Sequence, residues 1–376
     1  MPTFGLNLPE YPWEQLAPYR EIAEQYQGPL VNLSIGTPID STPSIVRDAL
    51  VNTSDAHGYP TTHGTLQLRE SIACWYERRR SVTGLNPQQI MPTVGSKELI
   101  AWLPFLLGLG AHDVVVRPRI AYPTYDIGAQ LAGAQHIAAD SLEELDEDTR
   151  SRVKLIWVNS PSNPTGAVTS LEQMRALVEQ ARDLGAIVAS DECYAELGWG
   201  QWDAQRGGTA VPSLLDSYVT QGRFDHLLSV YSLSKQSNMA GYRAAFVAGD
   251  EQLILNLVNS RKHAGMIVPA PVQSAMIAAL DDDQHVQAQK DVYRARRERL
   301  LPAVQNFGIQ VEESEAGLYL WGSAGEDTWS TVERFARLGI LVGPGVFYGS
   351  EGEGYVRIAL TGSDEDIDRA VERLRR

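Results

Sequence analysis

Cysteine is scarce. Cys74 and Cys193 are the only two in 376 residues, too few for a framework of bridges, and no C-x-x-C pair or His/Cys cluster suggests a structural metal. This implies a reducing, cytoplasmic compartment and no metal site. Long apolar runs are missing too; no segment approaches the ~20 apolar residues a membrane helix requires. The start, Met1-Pro2-Thr3-Phe4-Gly5, shows no basic region followed by an apolar stretch, so no export signal is expected. Basic residues are in deficit: 32 Lys and Arg stand against 47 Asp and Glu, a net charge of −15. That balance argues against nucleic acid and anionic membrane as partners. It leaves small anionic substrates open, because a few arginines can invert the potential inside a cleft. No internal repeat or low-complexity tract is present.

What the chain does have is apolar content, 43% of its residues, enough to bury a large core and a smaller companion domain. Short β-rich runs alternate with helical stretches, the pattern of an α/β domain on a mostly parallel sheet. Strands are expected at Gln89–Val94, Asp113–Arg117, Val153–Asn159, Ala186–Ser190, Leu227–Tyr231 and Ala244–Ala248. Helices are expected at Leu66–Arg80, Ser96–Leu107, Tyr125–Leu131 and Ser170–Leu184, with Ser170 as N-cap. Ligands in open α/β sheets bind beyond the carboxyl ends of strands, so the loops starting at Gly95, Asn159, Asp191 and Ser232 should converge. A long helical region, Val272–Leu301, and a compact α+β segment complete the chain. The run Asp281-Asp282-Asp283 reads as a solvated turn rather than a metal site. The proline-rich first ~40 residues read as an extended arm with a short helix, packed on the C-terminal segment or on a neighbouring subunit.

Ser232-Leu233-Ser234-Lys235 followed by Arg243 places one lysine in a hydroxyl-rich turn with an arginine close behind. Taken alone, such a short motif also suits a surface loop. As a site, it offers an amine for the aldehyde of pyridoxal phosphate, and hydroxyls with a forked guanidinium for its phosphate. Asn163-Pro164-Thr165-Gly166 follows one apolar strand and is a tight-turn signal in its own right. Asp191-Glu192-Cys193-Tyr194 follows another; there Asp191 could keep a ring nitrogen protonated, while Tyr194 and Asn163 could reach the ring's phenolic oxygen. Ser96 and Lys97 open a helix after Gly95, where N–H groups and the helix dipole favour phosphate. Tyr122 could stack on the ring or belong to the core. Arg357, alone in the apolar run Tyr355–Leu360, needs an anion: an internal carboxylate or a substrate's.

In this order the elements resemble the fold type I, class I and II aminotransferases over nearly the whole chain, from Asn32-Leu33-Ser34-Ile35-Gly36 through Gly58-Tyr59-Pro60 to Arg357. The resemblance implies an aspartate aminotransferase-like fold: a large domain, residues 44–270, with a mostly parallel seven-stranded sheet flanked by helices, and an arm plus a smaller α+β domain formed by 1–43 and 271–376. It also implies pyridoxal 5'-phosphate as cofactor and a homodimer in which Tyr59 reaches the partner's phosphate. Gly36, Asn163 and Arg357 would hold the substrate carboxylate, with Lys235, Asp191 and Tyr194 performing the chemistry beside Ser96, Lys97, Tyr122, Ser232, Ser234 and Arg243.

A narrower resemblance, carried by Asn7-Leu8-Pro9-Glu10-Tyr11-Pro12-Trp13, Tyr231–Asp250 and Val268–Gln273, is to actinobacterial N-succinyldiaminopimelate aminotransferases. It implies L-glutamate as donor and N-succinyl-2-amino-6-oxoheptanedioate as acceptor in lysine and diaminopimelate biosynthesis, with ping-pong kinetics. Lys97, Arg119 and His63 are candidates for the distal carboxylates. Other aminotransferases of the class, acting on alanine, aspartate or aromatic substrates, and a carbon–sulfur β-lyase remain alternatives. A non-catalytic module on this fold is disfavoured by the intact Lys235, Asp191, Tyr194, Arg243 and Arg357.

Overall fold

A computed structural model describes residues 5–6 and 8–375; Asn7 of the N-terminal motif and Met1–Phe4 of the expected signal-free start fall outside the described residues. In chain order the strands are β1 (Val31–Leu33), β2 (Ile90–Val94), β3 (Val114–Arg117), β4 (Gln135–Ala138), β5 (Val153–Asn159) and β6 (Ile187–Asp191). They continue as β7 (Leu227–Ser232), β8 (Ala244–Gly249), β9 (Gln310–Glu312), β10 (Tyr319–Ser323), β11 (Ile340–Pro344) and β12 (Tyr355–Ala359). Two sheets result: a seven-stranded one in the order β2-β8-β7-β6-β5-β3-β4 and a five-stranded one in the order β1-β11-β12-β10-β9.

The larger sheet is parallel from β7 to β4, while β8 runs antiparallel to both its neighbours. Its central strands are buried on both faces, which is why β5, β7 and β8 read as continuous apolar runs rather than alternating ones. Helices lie between the strands. Leu171–Leu184 begins where expected, with Ser170 and Gln173 forming a reciprocal capping box. The reversed direction of β8 brings a further loop to the carboxyl edge of the sheet. Strands β5, β6 and β7 end at Asn159, Asp191 and Ser232, whereas β8 starts at that same edge, and its register pairs Val94 with Ala244. Arg243, one residue before β8, therefore faces Gly95, one residue after β2.

The helical region Val272–Leu301 consists of two helices: Ala270–Asp281 ends and Asp283–Asn306 begins at Asp282, whose carboxylate accepts the N–H groups of Gln284 and His285 as an N-cap. The three aspartates there diverge, Asp281 to the Ser71 hydroxyl and Asp283 to Arg78. Strand β4 was not anticipated; it pairs on one side only, and its residues Gln135 and His136 are exposed. The N-terminal helix Ala17–Glu24 packs on the C-terminal segment, with Tyr19 stacked on Trp329 at 5.1 Å.

Candidate active site

The carboxyl edge of the large sheet and the face of the small one enclose a cavity. It is lined by Gly36, Ser96, Lys97, Tyr122, Asn163, Asp191, Tyr194, Ser232, Ser234, Lys235, Arg243 and Arg357, together with Tyr11, Trp13 and Tyr319. Of the site residues named from the sequence, three do not line it: Tyr59, which is fully exposed, Arg119 and His63. Arg119 lies outside it, in a surface network with Glu144, Asp140 and Glu351. His63 also lies outside, beside the backbone of Gln88 and Ile90 where β2 begins; burial and Arg69 lower its pKa.

Lys235 sits on a single helical turn, Leu233–Gln236, capped by Ser232. The Ser232 hydroxyl accepts from the Ser234 N–H and donates to the Ser234 hydroxyl at 2.9 Å. The Lys235 amine donates to the Gly36 carbonyl, and burial lowers its pKa, favouring the neutral amine that acts as a nucleophile. Across the cavity Asp191 is 7% exposed. It accepts from the Tyr125 hydroxyl at 3.1 Å and from the Cys193 N–H at 3.2 Å, and burial raises its pKa.

The charges show what the cavity is built to hold. Among the described residues no cation pairs with Asp191, although a buried carboxylate is costly without one. Conversely, the recorded polar partners of Arg243 and Arg357 are uncharged: Ala240 O for Arg243, and Asn163 Oδ1 at 2.9 Å and Ser34 O at 2.8 Å for Arg357. An internal salt bridge for Arg357, one of the two sequence readings, is thus not formed among the described residues. Arg243 adopts a left-handed backbone, φ 55°, and its guanidinium occupies the space a side chain at Gly95 would take, beside the N-terminus of the helix Ser96–Leu106. One uncompensated carboxylate, a half-buried amine and an arginine at a helix N-terminus fit a group bearing a protonated ring nitrogen, an aldehyde and a phosphate.

Sequence reasoning missed four participants. Tyr319 on β10 shares a 3.0 Å hydrogen bond with the Tyr194 hydroxyl, and its ring lies 4.0 Å from the Arg357 guanidinium carbon. Its alternation in β10, on the face of the five-stranded sheet that carries Arg357, was the available signal. Tyr125 was placed only in a helix, and Tyr11 and Trp13 only in an arm. These last two stack at 5.4 Å, and Lys97 lies over both Tyr11 and Tyr122, at 5.4 and 5.9 Å. Burial raises the pKa of Tyr194. Burial pushes Tyr319 the same way, but the cations Arg357 and Lys235 outweigh it and leave Tyr319 the more acidic phenol.

The chain is similar to known proteins over nearly its whole length. Residues 28–374 match the family model for aminotransferase class I and II. The chain is 52% identical to 4-dedimethylamino-4-oxo-anhydrotetracycline transaminase OxyQ of Streptomyces rimosus, over 98% of this chain and 99% of that one. It is 33% identical to an LL-diaminopimelate aminotransferase of Dehalococcoides mccartyi, over 98% and 96%. Among solved structures, a probable N-succinyldiaminopimelate aminotransferase of Thermus thermophilus superposes with a TM-score of 0.86 at 28% identity, covering 96% of this chain and 99% of that one. The chain therefore belongs to the class I and II aminotransferases, and its cofactor is pyridoxal 5'-phosphate.

Proposed function

We propose that the enzyme moves an amino group between L-glutamate and N-succinyl-2-amino-6-oxoheptanedioate, giving N-succinyl-LL-diaminopimelate, in a ping-pong sequence. The observation that carries this reading is the set of cations that, among the described residues, have no carboxylate partner and line one cavity: Arg243, Arg357 and Lys97. Such a set suits a substrate with carboxylates at both ends, held beside a phosphate. The diaminopimelate chemistry in the names of the Dehalococcoides and Thermus proteins supports the same substrate class.

When bound, the cofactor supplies an aldehyde that takes up amino groups and an electron-poor ring that accepts the electrons left at the substrate α-carbon. Lys235 would hold that aldehyde and, when free, would take the proton from the substrate α-carbon. Asp191, buried with no cation partner among the described residues, would hold the proton of the ring nitrogen. Tyr194 and Asn163 would serve the phenolic oxygen, and Tyr122 would cover the ring. Ser96, Ser232, Ser234 and Arg243 grip the phosphate, joined by Tyr59 of a partner subunit in a homodimer. Arg357, Asn163 and the Gly36 backbone fix the α-carboxylate, and Lys97 meets a distal one.

A second reading has one finding in its favour, the 52% identity to an enzyme named for a polycyclic ketone. Absorbance titration separates the two. Conversion of the bound cofactor to its aminated form by both L-glutamate and N-succinyl-LL-diaminopimelate is the expected result. Conversion by glutamate alone would leave the aminotransferase standing and remove the diaminopimelate assignment.

A further inference from the structure

Arg357 is 3% exposed, and it projects from the middle of β12 with its Nε buried and unpartnered. A long, flexible side chain does not hold one orientation there unless its surroundings impose it. Its two hydrogen bonds go to Asn163 and Ser34, from the two terminal nitrogens. The aromatic rings of Tyr319 and Tyr348, 4.0 and 5.0 Å from its central carbon, lie against it. Of the two hydroxyls, that of Tyr348 is buried without a partner among the described residues, whereas that of Tyr319 is hydrogen-bonded within the site. The Tyr319 hydroxyl bonds to Tyr194 and fills the space beside Gly36, where any side chain would overlap it. Its strand is pinned as well. The Ser314 hydroxyl donates to the Tyr319 carbonyl at 2.9 Å, and Arg297 donates to both the hydroxyl and the carbonyl of Ser314.

We propose that Tyr319 is the positioning residue of the α-carboxylate subsite: its ring sets the plane of the Arg357 guanidinium, and its hydroxyl, anchored on Tyr194 beside Gly36, sets the ring. The proposal rests on Arg357 being the carboxylate clamp of the proposed function. A planar guanidinium grips a carboxylate with two parallel bonds only when its edge is correctly aimed, so the ring acts through Arg357 and not on the reacting atoms. The cation–π attraction is strongest at a desolvated site such as this one.

The test uses holoenzyme carrying Tyr319→Phe, Tyr319→Met or Arg357→Lys, and two probes read by absorbance: 2-methylglutamate, which has the carboxylate but no α-hydrogen, and a primary amine without a carboxylate. Tyr319→Phe keeps the ring without its anchor and should weaken 2-methylglutamate binding roughly threefold, while Tyr319→Met, with no ring, should weaken it roughly tenfold or more. The carboxylate-free amine should be unaffected by either. The losses from Tyr319→Met and Arg357→Lys should be strongly non-additive when combined. Equal weakening of both probes, additive losses, or unchanged binding in Tyr319→Met would overturn the proposal. If Tyr319→Met does not hold cofactor, Tyr319→Leu serves in its place. Normal 2-methylglutamate binding by Arg357→Lys would instead remove the carboxylate assignment on which the proposal stands.

Discussion

Single residues in the site carry charges left uncompensated among the described residues. Asp191 is the clearest case, since a buried carboxylate served by one phenol and one backbone N–H is stable only when a cation sits against it. Replacing it by Asn should have opposite effects in the two forms of the enzyme. The apoenzyme should gain about 1–3 kcal/mol, because an unpaired buried charge is removed while the Tyr125 hydroxyl can turn to accept from the new amide. The cofactor-bound enzyme should lose both cofactor affinity and turnover. The pH dependence follows from the direction of the shift. Burial raises the Asp191 pKa above the unfolded value of about 3.9, so the stability it contributes is complete below that value and is lost as pH rises through the folded pKa. The gain from Asp191→Asn should therefore be absent near pH 4 and grow toward neutrality in thermal melts of the apoenzyme; a constant difference between the two proteins would refute this.

Among the elements, a tight contact joins the turn after Asn163 to the approach to β10. Ser314 N donates to Thr165 O and Ala316 N to Gly166 O, at 2.8 and 2.9 Å. Gly166 has φ +77°, and a Cβ there would lie 2.6 Å from the Ala316 carbonyl oxygen. Gly166→Ala should therefore cost about 1–3 kcal/mol, measured as a lowered denaturant midpoint, and should also weaken substrate binding, because Asn163 and Tyr319 flank the strained contact. An unchanged midpoint would show that the two loops separate easily. Such long-range pairings explain where sequence reading succeeded and where it stopped. Strands β5 and β7 were legible because burial on both faces makes them unbroken apolar runs. Lys235, Asp191 and Asn163 were legible because each ends or follows such a strand. Tyr319, Tyr11 and Trp13 were not: what makes them part of the site is the packing of the smaller sheet and the N-terminal segment onto the larger sheet, and no local spacing encodes that. The break at Asp282 carried a local signal, an aspartate able to cap, but it was obscured by its acidic neighbours.

At the scale of the whole molecule, Tyr59 is fully exposed, and it lies within a stretch of chain that also exposes Ile35, Ile39, Ile45, Val51 and Leu66. Exposed apolar side chains along this stretch suit the proposed homodimer, which would carry Tyr59 to the other subunit's phosphate. Light scattering should then give twice the 41.4 kDa mass of the chain. Mixing subunits tests the sharing of sites directly. Lys235→Ala and Tyr59→Ala should each be impaired alone, yet co-refolded mixtures should regain activity, because a mixed dimer contains one site with an intact Lys235 and an intact Tyr59 from the other subunit. Failure of the mixture to regain activity would confine Tyr59 to its own chain.

The central claim is that Lys235 holds the cofactor. Reducing the purified holoenzyme with borohydride fixes the cofactor to the amine that carries it, and peptide mass spectrometry then locates the modification. The account predicts one pyridoxyl group, on Lys235, and none in Lys235→Ala; modification of another lysine in the native enzyme would contradict it.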